Sequence, residues 1–360
     1  MISEGIHQEF RLDGRQFRTE SELIDHVDQR YPEGSALIQS WLEAEGSIEV
    51  NTSGSTGNPK RILLGREQMR QSALATGSFF GLKPGSKALL CLPLRYIAGK
   101  MMLVRAMVLG WHLSGVEPTV RLNLKDKGEL DFAAMIPLQL ESNLDQLEQI
   151  KTLIVGGAPV SYRLQKKIED LPTRIYATYG MTETLTHIAL RPLNRSAGRK
   201  EEREVFTGLP GVSFQMDDRG CLVIRCSRIS KEPIITNDLV ECLTQNSFIW
   251  RGRIDRVINS GGLKLLPEEI EKKFASCIRG RFFAAGLPDK RLGQRLAFVI
   301  EGPEDPKLME CLKRRQMDSE GVVSKKELPG NLFFLDEFVE TGSGKIDRIK
   351  TLGLLDAKED

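Results

Sequence analysis

The segment Thr52-Ser53-Gly54-Ser55-Thr56-Gly57-Asn58-Pro59-Lys60 packs two glycines, two serines and two threonines into nine residues and ends in a lysine. Small residues let backbone N–H groups approach phosphate oxygens, hydroxyls add donors, and lysine adds a point charge, so the chemistry on offer is the holding of a phosphate chain. A flexible surface loop has the same composition, and the Walker spacing G-x-x-x-x-G-K-[ST] is absent. Composition alone leaves both readings open.

Two further segments follow predicted strands. Gly156-Gly157-Ala158-Pro159 comes after the apolar run Thr152 to Val155, and Tyr176-Ala177-Thr178-Tyr179-Gly180-Met181-Thr182-Glu183-Thr184 follows a strand starting at Arg174. Loops at the carboxyl ends of parallel strands are where open α/β sheets bind ligands. Downstream lie Thr236-Asn237-Asp238, Gly252-Arg253-Ile254-Asp255 and Thr341-Gly342-Ser343-Gly344-Lys345-Ile346-Asp347-Arg348. Taken singly, each has a plainer reading: Gly156 to Pro159 as a strand-to-helix turn, Glu183 as a solvated carboxylate, Asp238 as a turn cap, Arg253 as a surface ion pair, Lys345 as part of a tail. The four histidines and six cysteines are too scattered for a nitrogen and sulfur metal site, so any metal is expected to be a hard, oxygen-bound ion.

The elements that must position these residues read as follows. Residues 1 to 45 form a helical lead-in, and Ser47 to Val50 is a short strand. Strands at Lys87 to Pro93, Thr152 to Val155 and Arg174 to Thr178 alternate with helices at Lys100 to Leu109 and Ser161 to Glu169, which predicts an α/β domain with a largely parallel sheet. From Phe206 the pattern changes to short strands with tight turns, such as Asp217-Asp218-Arg219-Gly220 and Gln245-Asn246-Ser247, which read as hairpins. After Arg253 to Arg256 comes a compact α+β block with a Gly261-Gly262 turn, a helix from Pro267, strands near Phe282 and Leu296, and a helix from Pro306. The division expected is a large domain over 1–252, a hinge over 253–256 and a small domain over 257–360.

The 360 residues suit two domains at about 150 residues each. Apolar residues make up 40% and charged residues 28%, ordinary values that exclude a disordered or collagen-like chain. Net charge is 51 − 49 = +2 with mixed signs, so no field argues for nucleic acid. The apolar stretch Met101 to Trp111 is broken by Arg105 and is shorter than the roughly 20 residues that span a bilayer. The acidic start lacks a secretory pattern and the cysteines form no C-x-x-C pair, so a cytoplasmic location with reduced, mostly buried thiols is expected.

Together and in this order, the quoted segments resemble the AMP-forming acyl- and aryl-CoA synthetases, the adenylate-forming or ANL superfamily, over nearly the whole chain. Within it, Leu92-Pro93-Leu94-Arg95-Tyr96-Ile97-Ala98-Gly99, Met102-Leu103-Val104-Arg105-Ala106 and Met135-Ile136-Pro137-Leu138-Gln139-Leu140 look like the o-succinylbenzoate:CoA ligases of menaquinone biosynthesis. The resemblance implies ATP and CoA as co-substrates, Mg²⁺, small-molecule substrates, an acyl-AMP intermediate, and a large α/β domain with a small mobile α+β domain. It places Thr52, Ser53, Ser55, Thr56, Gly57 and Lys60 on the β- and γ-phosphates, Thr182 on the α-phosphate and Glu183 on Mg²⁺. Gly157, Ala158, Pro159 and Tyr179 would border adenine, and Asp238 and Arg253 would hold the ribose. Lys345 would support adenylation, Asp255 would be the hinge about which the small domain rotates, and Gly262 would line the CoA tunnel after rotation. For the acid, Tyr96, Gly99, Lys100, Gln139 and His187 are the candidates, although Lys100 reads more readily as an exposed helix lysine, and His187 either lines the pocket or packs in a core.

There are departures. In these ligases the phosphate loop comes much later in the chain, so much of the usual N-terminal subdomain is expected to be absent and its subunit contacts are open, a homo-oligomer included. Tyr96, Asn237 and Arg61 stand where relatives commonly have histidine, glycine and glycine. Two other readings compete. One loads the acyl group onto a carrier protein, and the other is a non-catalytic nucleotide-binding relic, against which Lys345, Glu183 and Asp238 argue.

Overall fold

The computed structural model describes residues 5–43, 47–51, 61–318, 323–341 and 346–356. A twelve-stranded sheet organises most of them. Its first half runs Arg11–Leu12, His112–Gly115, Lys87–Leu90, Leu130–Met135, Ile150–Val155, Arg174–Gly180, every neighbouring pair parallel. Its second half runs His187–Pro192, Val205–Gly208, Ser247–Arg253, Ile234–Thr244, Cys221–Arg225, Ser213–Met216, every pair antiparallel.

The largely parallel sheet expected from the alternating elements is therefore a mixed sheet. Ser213–Met216, Cys221–Arg225, Ile234–Thr244 and Ser247–Arg253 follow one another through connections too short for a crossover, so they pair antiparallel, and with His187–Pro192 and Val205–Gly208 they extend the same sheet. Two other expectations also change. The helical lead-in begins with the edge strand Arg11–Leu12, and the strand at Arg174 continues through Tyr176, Thr178 and Tyr179 to Gly180.

Both faces of the parallel half are covered, and the residues show it with period two. Phe132 and Ala134 enter one core with Trp41, Met69, Met102 and Trp111, while Ala133 and Met135 enter the other with Leu153, Val155 and Ile175. Strands buried on both faces need apolar residues at nearly every position, which is why Leu130–Met135 and Ile150–Val155 lack polar alternation. Helices Arg66–Phe80 and Ile97–Leu109 belong to the first face. The second of these is buried on almost every side, Lys100 and Arg105 included. A helix of that kind normally carries no charge.

The hairpin Ser47–Asn51 with Arg61–Gly65 flanks the glycine- and hydroxyl-rich segment from Thr52 to Lys60 and is anchored in the first core by Ile48 and Leu64. Thr52 to Lys60 themselves lie outside the described residues, as does Gly342 to Lys345.

A second sheet of five strands, Ile258–Ser260, Leu263–Leu265, Phe282–Asp289, Gly293–Glu301 and Asn331–Leu335, follows after Arg256. It has cores of its own, one around Phe274, Phe298 and Leu312 and one around Phe283, Val299 and Leu335. Ion pairs join it to the large sheet's margin: Arg251 to Glu269 at 3.7 Å, Arg256 to Glu268 at 3.0 Å, and Lys272 to Glu204. The six cysteines are all free; Cys91, Cys221 and Cys226 are buried, Cys242 and Cys277 half-buried and Cys311 exposed. Among the described residues no helix is long and apolar enough to cross a membrane.

Candidate active site

The carboxyl ends of the parallel strands bring four loops to one edge of the sheet, and buried amide groups tie them together. Gln139, at the start of helix Pro137–Ser142, donates to Cys91 O at 2.9 Å and Thr119 O at 3.0 Å. Its Oε1 accepts from Ile136 N at 3.4 Å. Both amide hydrogens are thereby committed to backbone, so the geometry makes Gln139 a brace between loops. Gly156 N reaches Met135 O at 3.1 Å and Thr178 Oγ1 donates to Val155 O at 3.2 Å, which fixes the start of the Gly156 to Pro159 loop. Gly157 and Pro159 in that loop are exposed and Ala158 is half-buried.

The most developed polar cluster surrounds Asp238. It lies on strand Ile234–Thr244 directly opposite Arg253 on strand Ser247–Arg253. Tyr179 donates its hydroxyl to Asp238 Oδ2 at 2.6 Å and Trp250 donates its indole N–H to Asp238 Oδ1 at 3.1 Å. Burial first, and then the Asp238 carboxylate, push the Tyr179 phenol far above its ordinary pKa, so it remains a donor. Arg253 grips Asp255 through two hydrogen bonds of 3.0 and 2.7 Å, which raise the arginine's pKa and lower the aspartate's. Each Asp238 oxygen keeps a lone pair beyond its present donor, so the carboxylate arrives oriented and still able to accept from hydroxyls.

Trp250 is the member of this cluster that sequence reading missed. The only signal is its strand position, since it pairs with Val240 two residues beyond Asp238, and that pairing is invisible before the sheet register is known. Trp250→Phe removes one of the two donors and keeps the ring. With Asp238 on the ribose of ATP, as the resemblance implies, the apparent KM for ATP should rise roughly 3- to 10-fold, the worth of one hydrogen bond to a charged group, with kcat nearly unchanged. Steady-state kinetics at saturating acid would check this.

Thr182 and Glu183 sit in the short 3₁₀ turn Thr182–Thr184 that follows Gly180. The turn is pinned by Met181 N to Thr184 Oγ1 at 2.9 Å and closes with Thr186 N to Thr184 O at 2.7 Å across Leu185, whose φ is +63° and ψ −57°. That is a three-residue γ-turn of the rare, strained kind, and a non-glycine there costs about 1–3 kcal/mol. Strain of this sort persists only where the surroundings enforce it. Glu183 is exposed and enters no ion pair among the described residues, and no group of three or more His, Cys, Asp or Glu side chains gathers there to hold a metal. A lone carboxylate is the donor set Mg²⁺ accepts when phosphate oxygens and water complete its shell, so Glu183 fits that ion.

The acid candidates separate in space. Tyr96 caps helix Ile97–Leu109 and is partly exposed, with the Arg95 guanidinium 5.0 Å from its ring centre. At Gly99 an added Cβ would sit 2.2 Å from Pro93 O, so the glycine lets the helix lie against that loop. Lys100 is only 8% exposed, which replaces the solvated helix lysine expected from sequence. His187 is paired with Gly180 at the strand end that leads into the Glu183 turn. Asp255 and Gly262 are exposed near the start of the second sheet.

The AMP-binding enzyme family matches residues 50–216. An acyl-CoA synthetase (AMP-forming)/AMP-acid ligase II-like protein from Dyadobacter fermentans is 39% identical, with 90% of this chain and 93% of that one covered and a TM-score of 0.59. The chain belongs to the AMP-binding enzymes, the adenylate-forming superfamily. Among its relatives in that family, a probable 2-succinylbenzoate–CoA ligase of Mycobacterium tuberculosis is 26% identical over 356 residues, 88% of this chain and 86% of the relative. The O-succinylbenzoate coenzyme A synthetase of Bacillus subtilis, solved with ATP and magnesium, shares the fold at a TM-score of 0.70 and 19% identity, with 84% of this chain and 69% of that one covered. Open α/β sheets bind ligands at the carboxyl ends of their parallel strands, so the loops described above are the candidate nucleotide site.

Proposed function

We propose that this chain is an acid:CoA ligase that works through an acyl-AMP, and that its acid is o-succinylbenzoate. The observation that carries the nucleotide half is the Asp238 carboxylate, oriented by Tyr179 and Trp250 beside Arg253. The relatives named as 2-succinylbenzoate–CoA ligases support the acid.

In the first step an acid carboxylate oxygen bonds to the α-phosphorus of ATP and pyrophosphate leaves; in the second the CoA sulfur bonds to the acyl carbon and AMP leaves. Carboxylate attack on a triphosphate brings like charges together, so the site must place cations and donors where charge develops. Thr52, Ser53, Ser55, Thr56, Gly57 and Lys60 would hold the β- and γ-phosphates, and Thr182 the α-phosphate. Mg²⁺ held by Glu183 would neutralise phosphate charge when bound. Asp238 would accept from the ribose hydroxyls, with Arg253 beside it, while Tyr179 and the Gly157 to Pro159 loop would border the base. Tyr96 and Gly99 would border the acid. Asp255 would act as hinge between a large unit over 1–252 and a small one over 257–360, bringing first Lys345 and then Gly262 to the site.

The test is a panel of acids assayed for pyrophosphate release and then for thioester. o-Succinylbenzoate should exceed benzoate, 4-oxo-4-phenylbutanoate and a medium-chain fatty acid in kcat/KM by roughly 10- to 100-fold, the cost of leaving a buried polar partner unpaired. Preference for any monoacid overturns the assigned acid. Thioester formed only on a carrier protein, or no pyrophosphate at all, overturns the ligase reading.

A further inference from the structure

Two thiols meet on the helices that cover the second sheet. Cys277 lies in the turn that ends helix Pro267–Phe274, with its N–H bonded to Phe274 O at 2.9 Å. Cys311 lies on helix Leu308–Asp318. The Cys277 Sγ–H donates to Cys311 O at 3.7 Å, and the two side chains also interact, since the Cys311 thiol is among the groups that raise the Cys277 pKa. Both helices pack on one core, to which the first brings Phe274 and the second Leu308 and Leu312. The approach of the thiols is therefore set by core packing.

The two differ in access. Of the six cysteines Cys311 alone is exposed, while Cys277 is half-buried beside it. Cys91, by contrast, is buried and spends its S–H on Ala134 O at 3.2 Å. An exposed thiol in contact with a sheltered one is an arrangement in which an oxidant reaches the first sulfur and the second resolves the product.

We propose that Cys277 and Cys311 are a modification site, at which a peroxide converts the pair into a reversible intramolecular disulfide without displacing the helices that carry them. In the first step the Cys311 sulfur takes one peroxide oxygen as the O–O bond breaks, giving a sulfenic acid, and the other oxygen leaves with the thiol proton as water. In the second the Cys277 sulfur bonds to the Cys311 sulfur, the S–O bond breaks, and hydroxide leaves with the Cys277 proton as water. Two thiols and one peroxide thus become one disulfide and two waters; the sulfurs give up two electrons and the peroxide takes them.

The surroundings set the order of the steps. Burial first, and then the Cys311 thiol, push the Cys277 thiol up to about 12, while the Arg315 charge works in the opposite sense. The contribution of Cys311 ends once that sulfur is a neutral sulfenic acid, so Cys277 becomes the better nucleophile after its partner has been oxidised. The bond closes a loop from 277 to 311 that contains strands Phe282–Asp289 and Gly293–Glu301. It also fixes the far end of the helix whose Glu268, Glu269 and Lys272 reach Arg256, Arg251 and Glu204 at the margin of the large sheet. The inference is independent of the ligase reading.

The experiment treats the reduced full chain with a small excess of hydrogen peroxide. Two of its six thiols should disappear, its mass should fall by two hydrogens, and peptide mapping without reductant should recover residue 277 joined to residue 311 in monomeric protein. Dithiothreitol should restore both thiols. The oxidised protein should melt about 5 °C or more above the reduced one, because the cross-link restricts the unfolded chain. Cys311→Ser, a change at an exposed position, should abolish both the mass loss and the rise in melting temperature. Cys277→Ala removes the resolving sulfur, so Cys311 should then gain two or more oxygens that dithiothreitol does not remove. Circular dichroism checks that this variant folds; if it does not, Cys311→Ser and the wild-type peptide map decide the question. Wild-type protein that gains oxygens at Cys311 and keeps Cys277 as a thiol, that links Cys311 between two molecules, or that melts lower once the bond has formed would overturn the proposal.

Discussion

Replacing Lys345 with alanine is expected to slow acyl-adenylate formation by about 100-fold or more, the scale for removing one oriented electrostatic group from a reacting phosphate. Thioester formation from supplied acyl-AMP should change little. Negative charge builds on the α-phosphate and the departing pyrophosphate in the first half-reaction only, and a long cation on a glycine-flanked segment suits a role in that step alone. The surroundings are built to survive the change. Glu340 bridges to Ile346 across the segment, Asp347 N is bonded to Val339 O at 2.8 Å, and Phe338 N to Glu301 Oε1 at 2.9 Å. Arg281 joins Glu301 and Glu340, and Arg348 pairs with Glu271 at 2.9 Å, so the ends on either side of Lys345 are held independently of it. Pre-steady-state pyrophosphate release, beside thioester formation from synthetic acyl-AMP, separates the two steps. Equal loss in both would show that Lys345 does not divide them.

The residues just discussed differ in how far sequence alone exposes them. Asp238, Arg253 and Tyr179 each have a plain reading alone and are picked out only because the segments that carry them, taken in order, resemble those of a known family; the sheet then brings Tyr179 and Asp238 within 2.6 Å. Trp250 is not picked out, because its role depends on the register between two strands, and a slip of one residue would turn it to the other face. Gln139 looks like a polar group available to a ligand, yet its amide hydrogens are spent on Cys91 and Thr119, residues 48 and 20 positions away. Long-range partners of this kind leave no local signature. The parallel half of the sheet follows from strand and helix alternation, whereas the antiparallel half is legible only as hairpins, because nothing local says which sheet a hairpin joins. Lys100 and Arg105 mark the clearest limit. Each reads as a charge that should face water, and only the packing of helix Ile97–Leu109 on every side reveals that both are buried.

Gly262 is expected to show the opposite loss from Lys345. It forms, with Gly261, the two-residue turn that joins Ile258–Ser260 to Leu263–Leu265, with Ser260 opposite Leu263 and φ of +56° and +81° at the two glycines. Positive φ at both centres is what such a hairpin demands, so the fold alone explains glycine here. A Cβ at Gly262, however, meets nothing within 4 Å, so no neighbour in this structure requires the side to be bare. If that side faces the thiol path once the small unit turns, Gly262→Leu should cut thioester formation roughly 10- to 100-fold through overpacking, while pyrophosphate release stays near wild type. Backbone strain is the competing cause, since a leucine at φ +81° is disfavoured by about 1–2 kcal/mol. Gly262→Asn separates the two, because asparagine tolerates the left-handed region and is smaller than leucine. With a tunnel wall at this position, CoA consumption should fall from Gly through Asn to Leu by far more than the small loss in melting temperature that backbone strain imposes, with pyrophosphate release near wild type in all three. A loss of CoA turnover that follows the melting temperature instead, or a loss of adenylation with thioester formation intact, would assign Gly262 to the hairpin alone.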